Sequence, residues 1–221
     1  MPQGVPLATY RIQFNGGFRF ADAEAIVPYL CRLGATHLYA SPIFEARPGS
    51  THGYDVTNHG ALNPELGTEV DFTSLVQRLR SEGMSLLLDI VPNHMAADIS
   101  NPWWADVLRH GQESRYASFF DIDWEGGEGR LVLPMLGHSV AEAVDEGHLG
   151  IVEEQGEYAL AYFDKRWPVS PSTRGLAADA AKGDKQALLS LLDAQTYRLV
   201  HWRAEPPNYR RFFDIGDLVS V

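Results

Sequence analysis

Two short stretches gather the side chains best able to handle a hydroxylated ligand. The first is His52-Gly53-Tyr54-Asp55-Val56-Thr57-Asn58-His59. A tyrosine ring can cover the apolar C–H face of a pyranose, and a neighbouring carboxylate can accept hydroxyl hydrogens. Tyr54 and Asp55 supply that pair, and Gly53 permits a close backbone approach. The second is Asp89-Ile90-Val91-Pro92-Asn93-His94. An aspartate near the carboxyl end of a buried strand is costly unless it is hydrogen-bonded or paired. A histidine just beyond it can offer a neutral donor or acceptor to a sugar hydroxyl. Each stretch also has a plain structural reading, with Tyr54 packed on the fold, Asp89 closing a strand end and His94 an ordinary loop residue.

His52 and His59, with Asp55 between them, raise the question of a metal. Their spacing matches no zinc motif such as H-E-x-x-H, and the chain has a single cysteine, Cys31. No metal is therefore expected. A phosphate-cradling glycine loop of the GxxxxGK or GxGxxG type is also lacking, so no nucleotide cofactor is expected. Trp103, Trp104, Phe119, Phe120 and Trp124 could act as sugar platforms, but most are expected in the core of a subdomain.

The elements that must position these residues follow from periodicity. Ala8–Phe14 reads as a strand, Phe20–Leu33 as a helix stopped by Gly34, and His37–Ala40 as a second strand. A second helix runs through Phe72, Leu75, Val76 and Leu79, with Thr68 as N-cap and Gly83 beyond its end. Ser85–Val91 is a continuous apolar run suited to a parallel strand covered on both faces, which Pro92 would stop. Strand and helix alternating with short αβ turns predicts a parallel α/β sheet. The connection after the second strand, Ser41–Gly67, reads as a long loop, and loops after strands form the active face of a (β/α)₈ barrel. The expectation is the first three strands of a TIM barrel, residues 1–96, with both stretches on one face.

Beyond Ala96 that rhythm stops. Arg130–Leu136, Gly150–Glu154 and Glu157–Phe163 read as short strands, the last two around a Glu-Gln-Gly turn, and Asp184–Leu192 reads as a helix. This predicts an inserted α+β subdomain, residues 97–205, after the third barrel strand. Residues 206–221 would return towards a fourth strand. A barrel needs about 250 residues, so the chain is expected to be truncated.

The totals exclude other classes. A formal net charge of −11 over 221 residues, with lysine only at Lys165, Lys182 and Lys185, argues against nucleic acid. A neutral partner fits better. Cys31 cannot form an internal disulfide and reads as a small buried hydrophobe. Met1–Leu7 lacks the pattern of a signal peptide, and no apolar stretch approaches about 20 residues, so a soluble, cytoplasmic protein without membrane contact is expected.

Both stretches resemble known sequence. DIVPNH at Asp89–His94 resembles the first conserved region of the α-amylase superfamily, glycoside hydrolase family 13, and HGYDVTNH resembles that superfamily's loop after the second strand. A closer resemblance is to the maltooligosyl trehalose synthase family. It is carried by ATYRIQF at Ala8–Phe14, by YASPIFEARPGSTHGYDVTNHGALNPELG, by NPWWADVLRHG and by YRRFFDI at Tyr209–Ile215. Arg130–Glu205 adds little to it. The resemblance implies the activity of a (1->4)-alpha-D-glucan 1-alpha-D-glucosylmutase, which converts the reducing-end α-1,4 bond of a maltooligosaccharide to α,α-1,1.

By the same resemblance, Tyr54 stacks on the sugar before the scissile bond, Asp55 orients the arginine preceding the nucleophile, and His94 bonds a hydroxyl of that sugar. His52 and Asn93 join them as substrate-binding residues, and Asp89 supports the site. Asn93 matches a calcium-binding position of many α-amylases, but no calcium is expected here. Retaining chemistry needs an aspartate nucleophile and a glutamate acid/base about 5–5.5 Å apart. Neither Asp214 nor Asp217 has the Arg-x-Asp setting of the nucleophile, so both catalytic groups are expected beyond Val221 and the chain alone is expected to be inactive. The residues also allow two other readings: an α-glucan hydrolase of the α-amylase type, and a catalytically silent glucan-binding fragment.

Overall fold

A computed structural model describes residues 5–154, 156–212 and 217–221. The chain divides into two compact units, Met1–Ala96 and Ala97–Val221.

The first unit is built on three parallel strands, β1 (Thr9–Ile12), β2 (His37–Ala40) and β5 (Ser85–Leu88), in the order β1-β2-β5. The register aligns Arg11 with Tyr39 and Tyr39 with Leu87, and the next row aligns Ile12, Ala40 and Leu88. Strand residues alternate faces, so each row faces opposite to the next. Ile12, Leu38 and Ala40 are buried in a core with Phe20, Val27 and Leu30 of α1 (Phe20–Leu33) and Leu75 and Leu79 of α2 (Glu69–Ser81). Phe20 holds this core together, with ring centroids 5.3 Å from both Phe14 and Phe72. The opposite row carries Arg11 and Tyr39.

The start of α2 and the end of α1 are fixed by local sequence. Thr68 accepts from the backbone N–H of Asp71, and the Asp71 carboxylate reaches back to the Thr68 N–H at 2.7 Å, a reciprocal capping box. Gly34 ends α1 in the left-handed region at φ 92°.

The structure departs from four expectations in this unit. The long connection Ser41–Gly67 contains an antiparallel hairpin, β3 (Phe44–Ala46) with β4 (Val56–Leu62), followed by a 3₁₀ turn at Pro64–Leu66. Two register shifts in β3 disguise the hairpin, because they break the alternation that marks a strand. The third parallel strand ends at Leu88, not Val91, although the Asp89 N–H still bonds the Ala40 carbonyl at 3.0 Å. It is also not covered on both faces: Leu87, Leu88 and Ile90 are exposed, and β5 pairs with β2 on one side only among the described residues. Finally, His94 opens a short strand, β6 (His94–Ala96), and is buried, where a loop position was expected.

The second unit begins with α3 (Pro102–His110), whose N-cap Asn101 accepts from the N–H groups of Trp103 and Trp104. Trp104 is buried edge-on against Phe120 and Tyr209, and Trp103 stacks on Tyr116 at 5.3 Å. A meander of β8 (Leu149–Glu154), β9 (Glu157–Tyr162) and β10 (Lys165–Pro168) is antiparallel throughout. Gln155 of the Glu-Gln-Gly turn lies outside the described residues, as do Asp214 and its neighbours 213–216.

The βα rhythm does not stop entirely in this unit. β7 (Leu131–Leu136) and β11 (Tyr197–His201) pair in parallel. The crossover between them holds α4 (Val140–Asp145), the meander, α5 (Arg174–Ala181) and α6 (Lys185–Asp193). Partners so far apart in sequence, with antiparallel strands between them, leave no local sign of parallel pairing. β12 (Leu218–Ser220) is the last strand. No helix among the described residues is long and apolar enough to cross a membrane.

Candidate substrate-binding site

The first unit collects four polar side chains at the carboxyl ends of its parallel strands. The Tyr54 hydroxyl donates to Asp89 Oδ2 at 2.6 Å and accepts from Arg11 Nη2 at 3.1 Å. The Tyr39 hydroxyl donates to the same carboxylate oxygen at 3.3 Å, and the Arg11 guanidinium lies 3.9 Å from it. Arg11 also sits over the Tyr39 ring, 5.5 Å from its centroid, within cation–π range. Asp89 is thus the acceptor at the centre, compensated by two hydroxyls and one cation. The phenol of Tyr54 is held above its ordinary value of 10.0, first by its hydrogen bond to Asp89 and then by burial.

The loop carrying Tyr54 is shaped from within. Asp55 is buried, and its Oδ1 accepts from the Ser50 hydroxyl at 2.5 Å. That hydroxyl oxygen in turn accepts from the Gly53 N–H at 3.1 Å. The Asp55 carbonyl accepts from the Arg47 N–H at 3.1 Å. Gln13 reaches from beyond β1 to donate to the His52 carbonyl at 3.1 Å. Gly53 has φ 76°, and a Cβ there would sit 2.8 Å from the Pro42 carbonyl oxygen. The close approach that this glycine permits within the chain is to Pro42.

The histidines divide the work. His52 Nδ1 accepts from the Tyr54 N–H at 3.1 Å and lies 3.8 Å from Asp55 Oδ1. His59 Nε2 bonds the Val91 carbonyl at 2.8 Å, tying the hairpin to the segment after β5. Each imidazole has its own structural task, and the two do not form a joint ligand set. His94 Nδ1 lies 3.0 Å from Asn93 Oδ1. Burial pushes the His94 imidazole below its usual value, more strongly than a hydrogen bond to the Tyr54 backbone raises it.

Sequence reading singled out His52, Tyr54, Asp55, Asp89, Asn93 and His94, and the structure brings Tyr54 and Asp89 into direct contact. It missed Arg11, Gln13 and Tyr39. A signal for two of these existed. Alternation in Thr9-Tyr10-Arg11-Ile12-Gln13-Phe14 sets Thr9, Arg11 and Gln13 opposite Ile12 and Phe14, and a polar row on a strand face is a candidate site lining.

A tyrosine whose hydroxyl is pinned on two sides presents a ring of fixed orientation. Such a ring can stack on a pyranose without first paying to be ordered. Residues 25–168 match the catalytic-domain model of alpha amylase. The chain belongs to the alpha-amylase family. Within that family it is 43% identical to a putative maltooligosyl trehalose synthase of Mycobacterium tuberculosis, over 97% of this chain and 27% of that protein. The structure of maltooligosyltrehalose synthase from Arthrobacter ramosus superposes with a TM-score of 0.83 at 40% identity, over 97% of this chain and 27% of that one. An intracellular maltogenic amylase of Bacillus subtilis is 38% identical, over only 49% of this chain and 18% of its own length. The chain therefore spans about a quarter of the relatives it matches most fully.

Proposed function

We propose that this chain is the N-terminal, glucan-holding part of a maltooligosyl trehalose synthase. The parent enzyme converts the reducing-end α-1,4 bond of a maltooligosaccharide to α,α-1,1 by intramolecular transglucosylation. The observation that carries this reading is one of extent: likeness to the synthases runs over 97% of the chain, while likeness to the maltogenic amylase covers 49%.

In this reading residues 1–96 are the first three strands of a (β/α)₈ barrel. Residues 97–205 are a subdomain inserted after the third, and 206–221 lead back towards the barrel. Tyr54 stacks on the glucosyl unit before the scissile bond, with Asp89 and Arg11 fixing its ring. Asp55 orients a cationic side chain of the catalytic centre, and the Ser50 hydroxyl leaves its second oxygen to do so. His94, kept neutral by burial, donates to or accepts from a sugar hydroxyl. His52 and Asn93 complete the rim. No residue of this chain is assigned as nucleophile or acid/base. The substrate is a neutral glucan, in keeping with a net charge of −11 that disfavours polyanions.

Product analysis of the parent enzyme on maltopentaose tests the activity. Loss of reducing ends without release of glucose or maltose is the expected result. Free maltose as the main product would assign the chain to a hydrolase instead.

A further inference from the structure

Away from the glucan site, the second unit brings together a different set of side chains. His138, Glu146 and His148 each direct one ligand atom into a common space, and these atoms all lie within 4.8 Å of one another. We propose that this cluster is a binding site for a divalent transition ion of the zinc type.

The chemistry of the donors points that way. Two imidazoles and one carboxylate suit zinc, whereas magnesium and calcium favour all-oxygen sets. The positions follow from the local fold. His138 immediately precedes Ser139, the N-cap of α4, whereas Glu146 caps the far end of that helix. Gly147 then turns the chain at φ 72°, and His148 leads into β8. The left-handed turn between Glu146 and His148 lets both side chains face the same space.

The contacts are those of ligands that share an ion. His148 Nδ1 lies 3.1 Å from Glu146 Oε2, yet this nitrogen is shielded from solvent and has no hydrogen bond of acceptable geometry. A donor at that distance from a carboxylate would ordinarily point at it. Two ligands along one edge of a zinc tetrahedron, by contrast, stand about 3.3 Å apart without pointing at each other, given Zn–N distances near 2.05 Å. His138 Nε2 lies 3.9 Å from the same oxygen, so a small rotation of an exposed ring completes the set.

The outer groups agree. His138 Nδ1 lies 3.4 Å from the Tyr162 hydroxyl, which also accepts from the Gly137 N–H at 3.0 Å. With Nδ1 donating there, Nε2 turns its lone pair to the cluster, the orientation that second partners impose on metal-bound histidines. Phe163 packs on the His148 ring at 4.8 Å and shields it on one side. An ion here would clamp the residue before α4 to the two after it. That helix has six residues, too few to be stable without help from outside itself. Water would fill the fourth position.

The test is zinc binding by the metal-stripped full chain, read by competition with a chromophoric chelator. One equivalent should bind. His148→Ala and Glu146→Gln should each weaken binding by at least about 100-fold, as loss of a direct ligand exceeds the effect of losing an outer partner. His110→Ala, outside the cluster, should bind as the parent does. Circular dichroism shows whether each variant is folded. A second reading needs no variant: zinc should shift the imidazole nitrogen resonances of His138 and His148 before those of the other histidines. Equal affinity in parent and cluster variants, no binding at all, or unshifted His138 and His148 resonances would overturn the proposal.

Discussion

Tyr54 stands at the junction of two kinds of interaction, a ring face and a hydroxyl pinned between Arg11 and Asp89. Tyr54→Phe keeps the ring and removes the pin, leaving a partly buried carboxylate short of its nearest donor. It should lower stability by about 1–3 kcal/mol, read as a shift in the denaturant midpoint. A change below a few tenths would show that the contact is incidental. His94 gives a prediction in pH. Its folded-state value is depressed by burial, so its contribution to stability is present above the unfolded value near 6.5. That contribution is lost as pH falls through the lower folded value. The melting temperature should therefore fall on acidification below about pH 6.5, and His94→Asn should flatten that part of the profile. Parallel profiles for parent and variant would remove His94 as the cause. At this scale the chemical types were legible in sequence and their partners were not. Tyr54 and Asp89 are 35 residues apart, and only the register of the sheet puts Arg11 beside Tyr39.

At the scale of elements, the hairpin β3–β4 decides where the site residues point. Its geometry depends on Gly53, whose φ of 76° and contact with the Pro42 carbonyl leave no room for a side chain. Gly53→Ala should destabilise the chain by about 1–3 kcal/mol through backbone strain and displaced packing, visible as a lower melting temperature. An unchanged melting temperature would mean that the loop adapts. The helices were readable because their signals are local: Phe20–Leu33 carries apolar spacing and a terminal glycine, and Thr68 with Asp71 forms a capping box. The hairpin was not, since β3 has three residues and its register shifts twice. In the second unit β7 and β11 form a parallel pair whose partners lie far apart along the chain. Non-local pairing leaves no periodic trace.

At the scale of the whole molecule, a family and a candidate site come together. The alpha-amylase match covers residues 25–168, which includes Tyr54, Asp89 and His94 but not Arg11. The chain spans 27% of its curated synthase relative, and the task proposed for it is narrower than the enzyme's: to hold a glucosyl unit by its face and hydroxyls. Sequence resemblance reached this family through the Tyr39–Gly67 and Asp89–His94 stretches. It said little about Arg130–Glu205, where the cluster of His138, Glu146 and His148 lies. The central claim is that Tyr54 is the surface on which an α-glucan stacks. Titration calorimetry of maltopentaose into the chain and into Tyr54→Ala tests it most directly. Saturable binding at millimolar sugar in the parent, lost in the variant, is the predicted result; no binding heat in the parent, or equal binding in both, would contradict it.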